Sequence, residues 1–162
     1  MIFGGIANSI YGNPRQTFDI DIKVNIQGED SIGRFIKNCS KVSTILVENP
    51  QKFVHDSGVL PLKLNDVRVN IVFANLPYEL EAIEKSLSRE IFGIKANVSR
   101  AKDLIIQKAI SPRDKDWMDI KGIIENQKKS LDWNYILKHT KDLSAFLADP
   151  SIYKKLVDLK DA

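Results

Sequence analysis

Residues 4–24 read GGIANSIYGNPRQTFDIDIKV, and the alternation at the end of this stretch decides the fold. Phe18, Ile20, Ile22, Val24 and Ile26 alternate with Thr17, Asp19, Asp21, Lys23 and Asn25. Period two marks a half-buried strand with one polar face. Asp19 and Asp21 therefore project together, roughly 6–7 Å apart along the strand, while Ile20 and Ile22 go into the core behind them. Strands are depleted in aspartate, and two like charges this close repel unless a cation lies between them. A lone D-x-D reads as a solvated polar face. What precedes it changes the reading. Gly4-Gly5 lead into a short helical stretch, Ile6 to Tyr11, that carries Ser9. A glycine pair lets a ligand approach the backbone, and a helix start offers N–H groups to phosphate. Gly12, Pro14, Arg15 and Thr17 follow, with Arg15 as a phosphate partner. Within 18 residues the chain offers a phosphate cradle, a cation and a carboxylate pair. That pair suits Mg²⁺, which commonly takes one or two carboxylates plus phosphate oxygens.

The chain has 162 residues, the size of one domain. With 43% hydrophobic residues it can bury a core. Its 24 basic and 21 acidic residues leave a net charge of +3, which permits a phosphate-bearing ligand but does not argue for a large nucleic-acid surface. Cys39 is the single cysteine, so no internal disulfide forms, in keeping with a reducing cytoplasm. No apolar run approaches the roughly 18 residues of a membrane span. The first residues lack the pattern of a signal peptide.

The character of the sequence changes near residue 99. Before it, strand-like runs alternate with short helical stretches, as in residues 29–38, where Ile32, Phe35 and Ile36 have helical spacing. Val59–Leu64 and Val67–Phe73 form two strand-like runs joined by the turn signal Asn65-Asp66, which predicts a hairpin. Leu80, Ile83, Glu84 and Leu87 continue as a helix after Pro77, and residues 91–98 read as another strand. After residue 99 the pattern is helical. Ser99 is expected to cap a helix through Leu104, Ile105 and Ala109. Ser111-Pro112 is expected to open the next, with Pro112 at its first position and Trp117, Ile120, Ile123 and Ile124 on its buried side. Asp132 starts another helix and Pro150 a last short one. We read residues 1–98 as an α/β layer and 99–162 as a helical layer, either one compact unit or two small subdomains sharing a cleft.

The glycine pair, short helix and D-x-D strand of GGIANSIYGNPRQTFDIDI resemble the nucleotidyltransferase superfamily with the polymerase β-like fold. The string is similar to its minimal members, including the AbiEii-like toxins of abortive-infection and toxin–antitoxin systems. Weaker similarity runs through VRVNIVFA at 67–74 and AKDLIIQKAISPRDKDWMDI at 101–120, with Lys108, Arg113, Asp114 and Asp116 as its charged cluster. The resemblance implies an α+β nucleotidyltransferase fold, a mixed β-sheet with flanking helices and a C-terminal helical subdomain. It also implies Mg²⁺ (or Mn²⁺), a nucleoside triphosphate as substrate, and transfer of a nucleoside monophosphate to a hydroxyl of a protein, RNA or small molecule. Asp19 and Asp21 would hold metal. Gly4, Gly5 and Ser9 would cradle the triphosphate, with Arg15, Thr17, Lys108 and Asp116 at the nucleotide.

Two features depart from that pattern. The third carboxylate of the family falls on Asn70, which is neutral and cannot act as a base. Arg68 shares its polar face. Asp66, roughly 13 Å along the strand from position 70, and the helical acids Asp116 and Asp119 are alternative sources of the missing charge. The alternative function is therefore a degenerate nucleotide-binding or regulatory module without turnover. Second, only Met1-Ile2-Phe3 precede the glycines, where relatives have a helix. The expectation is a short form or a start further upstream, and in the second case another subunit of a homo-oligomer supplies the missing cover; a cognate antitoxin or other partner protein is a separate expectation of the resemblance. For Lys108 a nucleotide-phosphate or acid-pairing role, implied by the resemblance, is expected as much as the plain alternative of a lysine reaching solvent. His55 and His139 lack metal-ligand spacing, Cys39 reads as a small hydrophobe, Trp117 and Trp133 as core, and Lys128-Lys129 as a solvated pair.

Overall fold

The computed structural model describes residues 1–128 and 130–161. Among these the elements run β1 (Ile2–Phe3), α1 (Gly4–Tyr11), β2 (Asp19–Val24), α2 (Glu29–Cys39), β3 (Thr44–Ile45), α3 (Pro50–Ser57), β4 (Val59–Leu64), β5 (Val67–Phe73), α4 (Pro77–Glu84), β6 (Leu87–Ile91), β7 (Ile94–Val98), α5 (Ala101–Ala109), α6 (Asp114–Gln127), α7 (Trp133–Phe146) and α8 (Pro150–Asp161). The architecture is α+β with a mixed sheet, as expected. Packing divides the chain into two compact units. One holds Met1–Ile6 and Gln16–Val98, the other Ala7–Arg15 and the chain from Ser99 onward. Helix α1 begins in the first and ends in the second.

The first unit is built on a seven-stranded sheet in the order β3-β4-β5-β2-β1-β7-β6. β2 pairs parallel with β5, and β1 parallel with β7; the other pairs are antiparallel. The alternation read in the sequence sorts the faces of β2 and β5. Val69, Ile71 and Phe73 join Leu60 and Leu62, Ile36 of α2 and Val54 of α3 in one buried cluster, with Ile20, Ile22 and Val24 packed against it. Phe35 meets Phe73 edge to face at 5.9 Å. Helices α2 and α3 thus cover one face of the sheet, and Asp19, Asp21, Arg68 and Asn70 have the parity of the other. At the β4–β5 turn Asn65 and Asp66 both take positive φ, 46° and 69°, the requirement of a tight hairpin turn.

Some expectations need correction. Leu87 is not helical. Helix α4 ends at Glu84, Lys85 N–H bonds Glu81 O and Ser86 N–H bonds Ile83 O, and the chain then enters β6. The strand expected at 91–98 is the second half of a β6–β7 hairpin that turns at Phe92-Gly93. Helix α3 was not anticipated, although Asn49 caps it by accepting from Lys52 N–H at 3.1 Å, Pro50 opens it, and Gly58 closes it at φ 70°.

In the second unit Leu104, Ile105, Ile106, Ile120, Ile123, Ile136 and Leu156 form the buried interior. Asp132 caps α7 through Tyr135 N–H, and Pro150 opens α8, as read. The two serine caps are not formed. Arg100 and Arg113 occupy the cap positions of α5 and α6, without side-chain capping bonds. Ser99 Oγ donates to Arg100 O instead. Ser111 Oγ is drawn to the buried carboxylate of Asp116 at 2.7 Å, which leaves Pro112 outside the helix. Trp117 and Trp133 are half-buried, Lys128 is exposed, and Lys129 lies outside the described residues. No helix among the described residues is long and apolar enough to cross a membrane.

Candidate active site

The acids on β2 lie beside the start of α1. β1 pairs with β2 so that Phe3 stands opposite Asp21, and the chain turns into α1 at Gly4 with φ +64°. A Cβ on Gly4 would fall 2.0 Å from Asp21 Oδ2, and one on Gly5 would fall 2.5 Å from Thr17 Oγ1. A side chain at either position would force Asp21 or Thr17 to shift. The first turn of α1 can therefore lie against the acids only because both residues are glycine. Thr17 Oγ donates to Asp19 Oδ1 at 3.0 Å and so fixes the rotation of that carboxylate.

Parallel pairing with β5 aligns Asp19 with Arg68 and Asp21 with Asn70. The Asn70 amide nitrogen donates to Asp21 Oδ1 at 3.0 Å and, more weakly, to Asp19 Oδ2 at 3.4 Å. Its amide oxygen accepts from Arg68 Nε at 3.2 Å. Asn70 therefore stands where the resemblance placed a third carboxylate and turns donors, not an oxygen, toward the acids. Next along β2, Lys23 is buried and ion-paired with Glu79, and its Nζ lies 5.2 Å from the Phe3 ring centroid. Glu79 also accepts from the backbone N–H groups of Asn75 and Leu76.

This face fits a hard divalent cation. Its donors are carboxylate and hydroxyl oxygens, the ligand chemistry of Mg²⁺ and Mn²⁺. Among the described residues no three His, Cys, Asp or Glu side chains gather as a metal-holding group. The protein thus offers two carboxylates, the number Mg²⁺ uses when phosphate oxygens and waters complete its shell.

Ser9, Arg15, Lys108 and Asp116 belong to the second unit. Ser9 is exposed on α1. Lys108 is 5% exposed, and its Nζ donates to Asp116 at 2.9 Å and to Asp119 at 2.6 Å. It meets acids, one of its two expected roles. Arg15 grips Asp119 through Nε at 2.9 Å and Nη2 at 2.8 Å. Asp116 also accepts from Ser111 and from Arg113 Nε. Burial pushes both carboxyls up. Hydrogen bonds from Ser111, Lys108 and Arg113 outweigh it at Asp116, and those from Arg15 and Lys108 outweigh it at Asp119, so both stay below the ordinary carboxylate value. Asp116 and Asp119 are therefore engaged by cations of their own unit. Asp66 sits on the hairpin turn, its side chain 92% exposed and paired with Lys63.

Three features escaped the sequence reading: the Arg68–Asn70 bond, the Lys23–Glu79 pair, and the double pairing of Asp119. Each had a trace. Arg68 lies two residues from Asn70, Lys23 continues the parity of the two acids, and Asp116-x-x-Asp119 shares one helix face. A separate cavity of about 770 Å³ opens between α2 and α3, floored by Ile32, Val54 and Phe73; none of the expected site residues lines it. His55 is exposed and bonded to Asp56, and His139 packs on Tyr135 at 4.3 Å. Cys39 is partly buried against the first core, which raises its thiol pKa.

Among solved structures the chain is similar to an antigenic nucleotidyltransferase-like protein from Paracoccidioides brasiliensis, with 14% identity, a TM-score of 0.48, and coverage of 95% of this chain and 83% of that one. No curated protein matches the chain. A family model described as "Nucleotidyltransferase of unknown function (DUF6036)" matches residues 1–160. The span of that match takes in both the glycine–D-x-D segment and the helical half, and the chain belongs to this nucleotidyltransferase family.

Proposed function

We propose that the protein is a Mg²⁺- or Mn²⁺-dependent transferase that moves a nucleoside monophosphate from a nucleoside triphosphate to a hydroxyl. The acceptor oxygen bonds to the α-phosphorus, the bond to the bridging oxygen breaks, pyrophosphate leaves, and the hydroxyl proton goes to solvent. The observation that carries this reading is the contact of Gly4 with Asp21, where a Cβ would sit 2.0 Å from the carboxylate. It brings a helix start, suited to phosphate, against a cation-binding acid pair. Asp19 and Asp21 hold the cation, which when bound stabilises charge on phosphate oxygens. Thr17 holds Asp19 in place. The backbone of Gly4 and Gly5, with Ser9, receives the phosphates. Within the second unit Arg15 and Lys108 meet at Asp119, and Lys108 also pairs with Asp116, which steadies the segment after α1.

Calorimetry with Mg²⁺ and each nucleoside triphosphate tests the binding half. Binding that disappears in Asp19→Ala supports it; binding that survives refutes it. Asn70 favours a second reading, a nucleotide-binding module without turnover. Transfer of label from α-labelled triphosphate separates the two, because label transfer only by Asn70→Asp supports the module. The finer reading is an AbiEii-like toxin of the cytoplasm, acting on a protein, RNA or small molecule and held by a cognate antitoxin. Growth arrest on expression, relieved by the product of the adjacent gene, tests it.

A further inference from the structure

Asn70 can look like a lost ligand, yet its bonds describe a bridge. A carboxamide is the one side-chain group of this size that donates to two acids and accepts from a cation at once. Here the nitrogen serves Asp19 and Asp21, and the oxygen serves Arg68. Arg68 is the direct cross-strand neighbour of Asp19 and is exposed. Among the described residues the only hydrogen bond of its side chain is the one from Nε to Asn70. Both terminal nitrogens of the guanidinium remain available, in the geometry that suits phosphate oxygens.

We infer that Arg68 is an anion-binding residue of this face, seated by Asn70, and that it takes a phosphate oxygen of the nucleoside triphosphate in place of a second divalent cation. Charge supports the exchange. An aspartate at 70 with a divalent cation would add a net +1 to the face. The amide at 70 with the Arg68 guanidinium adds the same +1. Asn70 is then a positioning residue and Arg68 a binding residue, and one cation suffices.

The inference rests on the nucleotide reading above, and its test separates the two. Mn²⁺ is titrated by electron paramagnetic resonance in the presence of the α,β-methylene analogues of ATP, GTP, CTP and UTP. The expected result is one Mn²⁺ per chain for the natural protein and two for Asn70→Asp. Arg68→Ala is expected to weaken analogue binding about tenfold, the scale of a charge-assisted bond, with Arg68→Lys between. Its thermal midpoint should not move, since Arg68 is exposed. In Asn70→Asp the further change Arg68→Ala should have little effect on analogue affinity. Two Mn²⁺ per natural chain, or analogue binding within twofold after Arg68→Ala, overturns the assignment of Arg68 alone, provided Asp19→Ala abolishes binding. Binding that survives Asp19→Ala, or no binding in any variant, overturns the nucleotide reading and this inference with it.

Discussion

Two groups of acids in this molecule are treated in opposite ways. On the sheet face, Asp19 and Asp21 project side by side, half-buried, and are met by the Thr17 hydroxyl and the Asn70 amide. In the helical unit, Asp116 and Asp119 are buried and receive Lys108 between them, with Arg15 and Arg113 at the outer edges. The second group carries its cations within its own side chains. The first meets the Thr17 hydroxyl and the Asn70 amide, neutral donors that can yield to a cation from outside. Charges paired with cations of their own unit build the fold; two adjacent acids met by neutral donors still favour a cation between them.

Lys108 carries the largest expected effect. Replacing it with Met leaves two buried carboxylates short of their shared cation, and the expected loss is about 3 kcal/mol, the low end for breaking a buried pair because Arg15 and Arg113 remain. Urea unfolding measures it. Asp19→Ala is expected to lower Mg²⁺–nucleotide affinity by at least about a hundredfold, since even outer-shell partners of a metal are worth 10–100-fold. Calorimetry checks this.

An aspartate-to-asparagine change at each site sharpens the contrast. Without added metal, Asp119→Asn should destabilise the protein by about 1–3 kcal/mol. Asp19→Asn should leave stability unchanged or raise it, because it removes one of two adjacent like charges. Gly4→Ala should cost about 1–3 kcal/mol through strain at positive φ, and it should also weaken cation binding by displacing Asp21. Gly93→Ala, at φ +79° with nothing within 4 Å of its Cβ, should show strain without the binding defect.

The smallest effect is on pH dependence. Asp116 and Asp119 have folded values below the ordinary 3.8, because their cation and hydroxyl partners outweigh burial. Their stabilisation is therefore present above pH 3.8 and is lost as pH falls through the folded values. The thermal midpoint should drop on acidification below about pH 4, and Asp119→Asn should flatten that drop.

What the sequence revealed follows the range of the forces involved. Parity along β2 is local, so the paired acids and their apolar backs were legible from Asp19 to Val24, whereas Phe18, which continues the alternation, precedes the strand and is exposed. The β4–β5 hairpin was legible because Asn65-Asp66 tolerate positive φ. The helices α7 and α8 announced themselves through Asp132 and Pro150. The register that sets Asn70 against Asp21 joins strands about fifty residues apart, and no local pattern encodes it. Leu87 misled because it continues the helical spacing of Leu80 and Ile83, while the β6–β7 pairing that claims it lies ahead in the chain. Ser111 misled for a similar reason. Its hydroxyl serves a buried carboxylate, and only tertiary packing shows that Asp116 is buried.

In the function proposed above, Asp19 and Asp21 together hold one divalent cation with a triphosphate. A crystal structure with Mg²⁺ and a non-hydrolysable nucleoside triphosphate tests it most directly. One cation bound by both carboxylates is expected, with phosphate oxygens completing its shell beside Gly4 and Gly5. A nucleotide bound elsewhere, or a cation that touches neither Asp19 nor Asp21, would contradict it.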